Sequence, residues 1–184
     1  EHRINQNRRV PASKARDIGF DRALIGAYGH DDRVCAYPAL TAILESRDTI
    51  HTQMCVLADK EEIGSIGVSG MQSAVFTDIL TEVAESLGAN PRVVRGASKC
   101  LSADVTAAFD PNFAEVYEKR NSAILGCGVA MSKYTGSRGK SGTSDASAEF
   151  VGEIRRLFDK AGIVWQTAEL GKVDEGGGGT VAMF

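Results

Sequence analysis

Three short acidic stretches hold the residues best able to do chemistry. They are Asp31 and Asp32 in "GAYGHDDRVCAY", Glu61 and Glu62 in "ADKEEIGS", and Asp104 in "CLSADVTAAF". Each lies beside small or apolar residues, at an expected strand end or just before a helix. In open α/β sheets, ligands bind beyond the carboxyl ends of the strands. Three loops converging at one sheet edge would gather these carboxylates. Unpaired, they would repel one another and be expensive to bury. Divalent cations resolve that conflict. The adjacent glutamates suit a division of labour, because neighbouring side chains in extended backbone point to opposite sides. One can bind metal while the other reaches a metal-held water as general base. Taken pair by pair, the same residues also read as helix caps or solvated loop charges.

The elements that must position them alternate between helix and strand. From Val34 the pattern is helical, with Ala36, Leu40, Ile43 and Leu44 on one face and Asp31 or Asp32 available as cap. The apolar run "TQMCVLA" (52–58) has the length of a strand from the middle of a parallel sheet. A helix follows, striped by Phe76, Leu80, Val83, Ala84 and Leu87 and closed by Gly88. "RVVRG" reads as a short strand and residues 128–136 as another, followed by "SRGKSGTSD" as a turn-rich loop. The clearest helix carries Phe150, Val151, Ile154, Leu157, Phe158 and Ala161 on one face, with Thr143 or Ser144 as cap and Gly162 as stop. A strand over 163–170 and a loop, "GKVDEGGGG", complete the pattern. This alternation predicts an α/β layered domain, without internal repeats or a low-complexity linker.

Composition narrows the function classes. The chain has 184 residues, enough for one sizeable domain. It is 43% hydrophobic and 24% charged, with a formal net charge of −3, so no basic excess is available to neutralise nucleic-acid phosphates. No apolar stretch approaches the ~18 residues that would span a membrane, and no signal peptide is visible. Cys35, Cys55, Cys100 and Cys127 form no C-x-x-C pair, which argues against a zinc-thiolate site or a disulfide scaffold. They read as reduced, buried cysteines of a cytoplasmic protein. The chain opens "EHRINQNRRV" without Met and stops at "GGGGTVAMF", which reads as a fragment.

The segments "GAYGHDDRVCAY", "DKEEIGS", "SADVTAA", "PNFAEVYEKRN" and "GKVDEGGGG", in this order along almost the whole chain, resemble the aspartyl aminopeptidase family of di-zinc metallopeptidases. The resemblance implies an exopeptidase that removes N-terminal residues, acidic ones being one option, from peptide substrates. It implies a three-layer α/β sandwich with a mostly parallel or mixed sheet, incomplete in this chain. By motif, Asp31 would bridge two zincs, Glu61 would be the general base, Glu62 would bind one zinc and Asp104 the other. Lys133 in "SKYTG" matches a family lysine near the substrate, and Gly176 and Gly177 match a loop lining the pocket. Bridging zincs can lower the pKa of bound water to about 7, and Glu61 would shuttle its proton to the leaving amine. Cobalt or manganese are possible substitutes. The family also implies a homo-oligomer and an inserted dimerisation domain, of which residues 1–18 would be the tail and 19–184 part of the catalytic domain.

The chain departs from the family pattern in its histidines. The two family histidine ligands fall before and after this stretch, and His2, His30 and His51 match neither. His30 reads as a surface or packing residue and His51 as the start of a strand. Ala107 and Asp110 stand where many relatives carry histidines. Two further readings stay open: a non-catalytic scaffold fragment that keeps the fold, and a magnesium-dependent phosphoryl-transfer enzyme using the same carboxylates. Against the latter, "EGGGGTV" lacks the lysine and Ser/Thr that end a P-loop. The preferred N-terminal residue, the native metal and the oligomer size are not legible in the sequence.

Overall fold

The structure, a computed structural model, describes residues 11–47, 49–58, 67–68, 70–137 and 141–172, with the backbone alone at 135–137 and 141–143. Its contacts divide the chain into two compact units, Glu1–Cys55 with Ala103–Val105, and Val56–Ser102 with Thr106–Phe184.

In the first unit, β1 (Arg16–Ile18) pairs antiparallel with β2 (Leu24–Gly26) in the register Arg16↔Gly26. Helix α1 (His30–Glu45) follows directly. The expected aspartate cap is not formed. Gly29 holds the cap position, with no side-chain cap bond. Asp31 (φ −78°, ψ 118°) and Asp32 (φ −113°, ψ 26°) leave the helical region, and the peptide bond between them is cis. The two aspartates therefore occupy a kink, and their carboxylates are not used up on the helix's own N–H groups.

The strand expected at 52–58 is absent. A strand exists only through a partner, and none of the described residues pairs with this segment. Met54, Val56 and Leu57 consequently stay exposed instead of lining a sheet interior.

The second unit begins with α2 (Ala74–Ser86), whose buried residue is Ala84. Its end is closed by Ala89 N–H donating to Ala84 O at 2.9 Å and Gly88 N–H donating to Glu85 O at 2.9 Å, the paired bonds that satisfy a helix's last carbonyls. "RVVRG" is not a strand but the body of α3 (Pro91–Ala97). Asn90 Oδ1 accepts from Arg92 N–H at 2.9 Å, and Pro91 starts the helix. This cap and first-turn proline outweigh the β preference of two valines. A 3₁₀ turn over Pro111–Val116 is capped by Asp110.

Strand β3 (Val129–Met131) is separated from β4 (Tyr134–Ser137) by two residues. β4 pairs antiparallel with β5 (Ser141–Asp145), so Ser137 and residues 141–145 of the stretch expected as loop are strand. Cross-strand pairing of the backbone decides there, against a Ser/Gly composition that reads as a turn. Helix α4 (Ala148–Ala161) is capped by Ser147, whose Oγ accepts from Phe150 N–H at 3.2 Å. The expected caps, Thr143 and Ser144, lie in β5 instead. Gly162, at φ +67°, stops the helix as expected.

Strand β6 (Trp165–Thr167) pairs parallel with β3, Met131 opposite Thr167. The Gln166 side chain staples this pair: its Oε1 accepts from Ile124 N–H at 2.8 Å, and its Nε2 donates to Ile124 O and Gly128 O at 3.0 and 3.1 Å. Helix α4 lies against β6 through Trp165, which meets the Phe158 ring, donates from Nε1 to Asp159 at 2.9 Å, and carries the Arg155 guanidinium over its face. A single parallel bridge, Ala108↔Ala123, adjoins the pair, and Ala123, Ala168 and Ser122 are buried.

The described residues thus form an α/β arrangement with one parallel and two antiparallel strand pairs.

Candidate functional site

Asp31 and Asp104 are brought into the same unit by the fold, although they are distant in sequence. Asp31 sits in the kink that opens α1. Asp104 lies in a loop, as expected, where its Oδ1 accepts from Val105 N–H at 2.7 Å. Both act on one neighbour, Cys35. Burial pushes the Cys35 thiol above its ordinary value, and the charges of Asp104, Asp32 and Asp31 push it further in the same direction. Neither Asp31 nor Asp104 has an ion-pair partner among the described residues. Both carboxylates thus bear on one half-buried thiol, with no ion-pair partner among the described residues. Their oxygens are hard donors, so a zinc site would need nitrogen ligands from elsewhere. Among the described residues, no group of three or more His, Cys, Asp or Glu is placed to hold an ion.

The other expected site residues divide into two sets. Glu61, Glu62, Gly176 and Gly177 lie outside the described residues. Lys133 lies just beyond β3, with its ammonium 2.5 Å from Asp145 Oδ1. His30 Nδ1 is 3.3 Å from Ile25 O, which agrees with a packing role. His51 is exposed and starts no strand. Asp110 is engaged locally, its Oδ1 accepting from Asn112 N–H at 2.8 Å and Asn112 Nδ2 at 3.0 Å. The cysteines are free as expected, but Cys100 and Cys127 are exposed where burial was expected.

Two carboxylates at the Lys133 edge escaped the sequence reading. Asp145 ends β5 and Glu169 follows β6. Burial raises the Glu169 carboxyl above its ordinary value. The Tyr134 backbone N–H and Lys133 oppose that rise, and Asp145 adds to it. The signal available was position, since both residues stand at the exit of an element, but it takes the β4–β5 pairing to set Asp145 against Lys133 and the β3–β6 pairing to bring Glu169 to the same edge.

Comparison with known proteins supplies the class. The chain belongs to the aminopeptidase I zinc metalloprotease (M18) family, which it matches over residues 8–184. It is 53% identical over 177 residues to a Clostridium acetobutylicum protein described as "Probable M18 family aminopeptidase 1", an alignment covering 94% of this chain and 38% of the relative. A Thermotoga maritima protein of the same description is 45% identical over 181 residues, covering 95% of this chain and 40% of the relative. The crystal structure of aminopeptidase I from Clostridium acetobutylicum superimposes with a TM-score of 0.82 over 94% of this chain and 38% of that one. The chain therefore spans about two fifths of the length of these relatives. Among the described residues no helix is long and apolar enough to cross a membrane.

Proposed function

We propose that the complete polypeptide carrying this sequence is a metal-dependent aminopeptidase that releases N-terminal residues from peptides. Family membership supports the reaction type. The observation that supports the site is that Asp31 and Asp104 fall in one unit, both bear on Cys35, and neither has an ion-pair partner among the described residues. In this reading Asp31, Glu62 and Asp104 would hold the zinc, Asp31 as the shared ligand, with histidines from the rest of the complete polypeptide. When bound, the ions supply Lewis acidity toward the scissile carbonyl and acidify the attacking water. Glu61 takes up that water's proton on its carboxylate and returns it to the departing amine. Lys133, Gly176 and Gly177 line the substrate side.

The same reading assigns residues 1–18 to the tail of a dimerisation insert and 19–184 to part of a three-layer catalytic domain. It takes the assembled protein as a homo-oligomer. The four free cysteines suit a reducing compartment such as the cytoplasm.

The test is a Glu61→Gln variant of the complete polypeptide, assayed on short peptides with metal content measured in parallel. We expect turnover to fall by a factor on the order of 10² to 10⁴ with zinc content nearly unchanged. Wild-type turnover in the variant would overturn the general-base role. A metal-loaded wild type that releases no N-terminal residue would favour the scaffold reading.

A further inference from the structure

Helices α2 and α3 pack against each other, and an open cavity of about 560 Å³ lies at their corner. Thr81 and Glu85 line it from α2, and Arg92 and Arg95 line it from α3. Spacings of four and three residues set each pair on one face of its helix. The turn at Ala89 and Asn90 lines the cavity between them. That turn is fixed, because Ala89 N–H is tied to Ala84 O and Asn90 Oδ1 accepts from Arg92 N–H. The cap bond uses the oxygen of the Asn90 amide and leaves its Nδ2 as a donor without a partner among the described residues. Thr81 Oγ1 donates its proton to Thr77 O at 2.8 Å, so toward the cavity it can only accept. Glu85, Arg92 and Arg95 form no ion pair among the described residues. The cleft therefore has an acceptor side on α2 and a donor side on α3 that do not close on each other.

We propose that this cleft binds small zwitterions, free amino acids or short peptides, with the ligand's carboxylate on Arg92 and Arg95 and its ammonium on Glu85. A planar guanidinium matches a carboxylate with two parallel bonds, and Asn90 Nδ2 adds a donor on that side. Glu85 and the Thr81 oxygen supply acceptors for an ammonium. A ligand that is only an anion gains the two arginines but meets the Glu85 charge. A ligand that is only a cation meets the reverse. A molecule carrying both charges satisfies both sides at once. The volume falls in the range of small-molecule sites and leaves room for a side chain or a second residue. Glu85, Arg92 and Arg95 are exposed, so each charged contact is modest and binding is weak. None of these residues is among the metal ligands proposed above, so the cleft fills with or without catalysis.

The experiment measures dissociation constants by ligand-observed NMR on the metal-loaded complete polypeptide. Leucine is the first probe. N-acetyl-leucine lacks the ammonium, isoamylamine lacks the carboxylate, and D-leucyl-D-leucine is a longer zwitterion. The wild type should bind leucine more tightly than either truncated probe. Glu85→Gln should weaken leucine by roughly three- to fivefold and leave N-acetyl-leucine unchanged or tighter. Arg92→Ala with Arg95→Ala should weaken leucine by roughly tenfold and leave isoamylamine unchanged or tighter. The substituted side chains are exposed, so the variants keep the fold. Tighter binding of D-leucyl-D-leucine than of leucine, sensitive to the same substitutions, identifies short peptides as the occupant; the reverse order identifies free amino acids. Leucine affinity unmoved by these substitutions would put its binding elsewhere, the metal centre included, and overturn the proposal. N-acetyl-leucine that binds the wild type as tightly as leucine would also overturn it, since the cleft would then read only negative charge.

Discussion

Gly128 and Gly162 both have positive φ, +89° and +67°, yet alanine should affect them very differently. A Cβ on Gly162 would meet nothing within 4 Å. The loss there is the left-handed backbone term alone, about 1–2 kcal/mol. A Cβ on Gly128 would lie 2.2 Å from the Val164 carbonyl oxygen, 2.4 Å from its carbon and 2.9 Å from Trp165 N. These are backbone atoms and cannot swing aside. Restoring ordinary contact requires the β3 entry and β6 to part by about 1 Å or more. That movement breaks Val129 N–H to Val164 O at 3.0 Å and Gln166 Nε2 to Gly128 O at 3.1 Å. At about 0.5–1.5 kcal/mol net for each bond, added to the same backbone term, Gly128→Ala should destabilise by about 2–5 kcal/mol. Urea denaturation of the two alanine variants and wild type measures this, with midpoints compared at a common slope. The loss for Gly128→Ala should exceed that for Gly162→Ala by at least about 1 kcal/mol. Equal shifts would show that Val164 does not press on Gly128, and the β3–β6 pairing described above would be wrong.

Other perturbations probe separate parts of the molecule. Ser147→Ala removes the α4 cap bond and should cost about 1 kcal/mol, seen as a melting temperature lower by about 2–4 °C; Ser147→Asp should restore most of it. Asp31→Ala should strip bound metal on desalting, read by elemental analysis, and a variant that keeps two zincs would refute the shared-ligand role. The raised Glu169 carboxyl binds its proton more tightly in the folded state than in the unfolded chain. Its contribution to stability is therefore present below the ordinary glutamate range and is lost as pH rises through the folded value. Glu169→Gln should then stabilise the protein at neutral pH, with the gain fading below about pH 4.3; a gain that persists or grows in acid contradicts the burial argument.

The helices α2 and α4 were legible because an apolar stripe and a glycine stop agree over a dozen residues. α3 was misread because Val93 and Val94 favour strand locally, whereas the helix is decided at its first turn by Asn90 and Pro91. Residues 52–58 were misread because an apolar run shows what a segment would bury, not whether a partner strand is there to receive it. The β4–β5 pairing was hidden by Ser and Gly, whose side chains give little alternation to read. At the candidate site, the acidic loops could be picked out by residue type and spacing; Asp31 and Asp104 fall in one unit, and Glu61 and Glu62 lie outside the described residues. The Lys133, Asp145 and Glu169 edge could not, because it depends on a strand register that no local pattern encodes.

The pairing of β3 with β6 closes a long stretch of chain containing a hairpin and α4. Such closures come late, after local structure is in place. Lys133 can meet Asp145 as soon as the hairpin forms, but Glu169 joins them only when β6 docks. Trp165 is the only tryptophan of the chain and lies on that strand against α4. Its fluorescence is thus an intrinsic clock for the moment the charged rim is completed, readable in a refolding experiment without any added label.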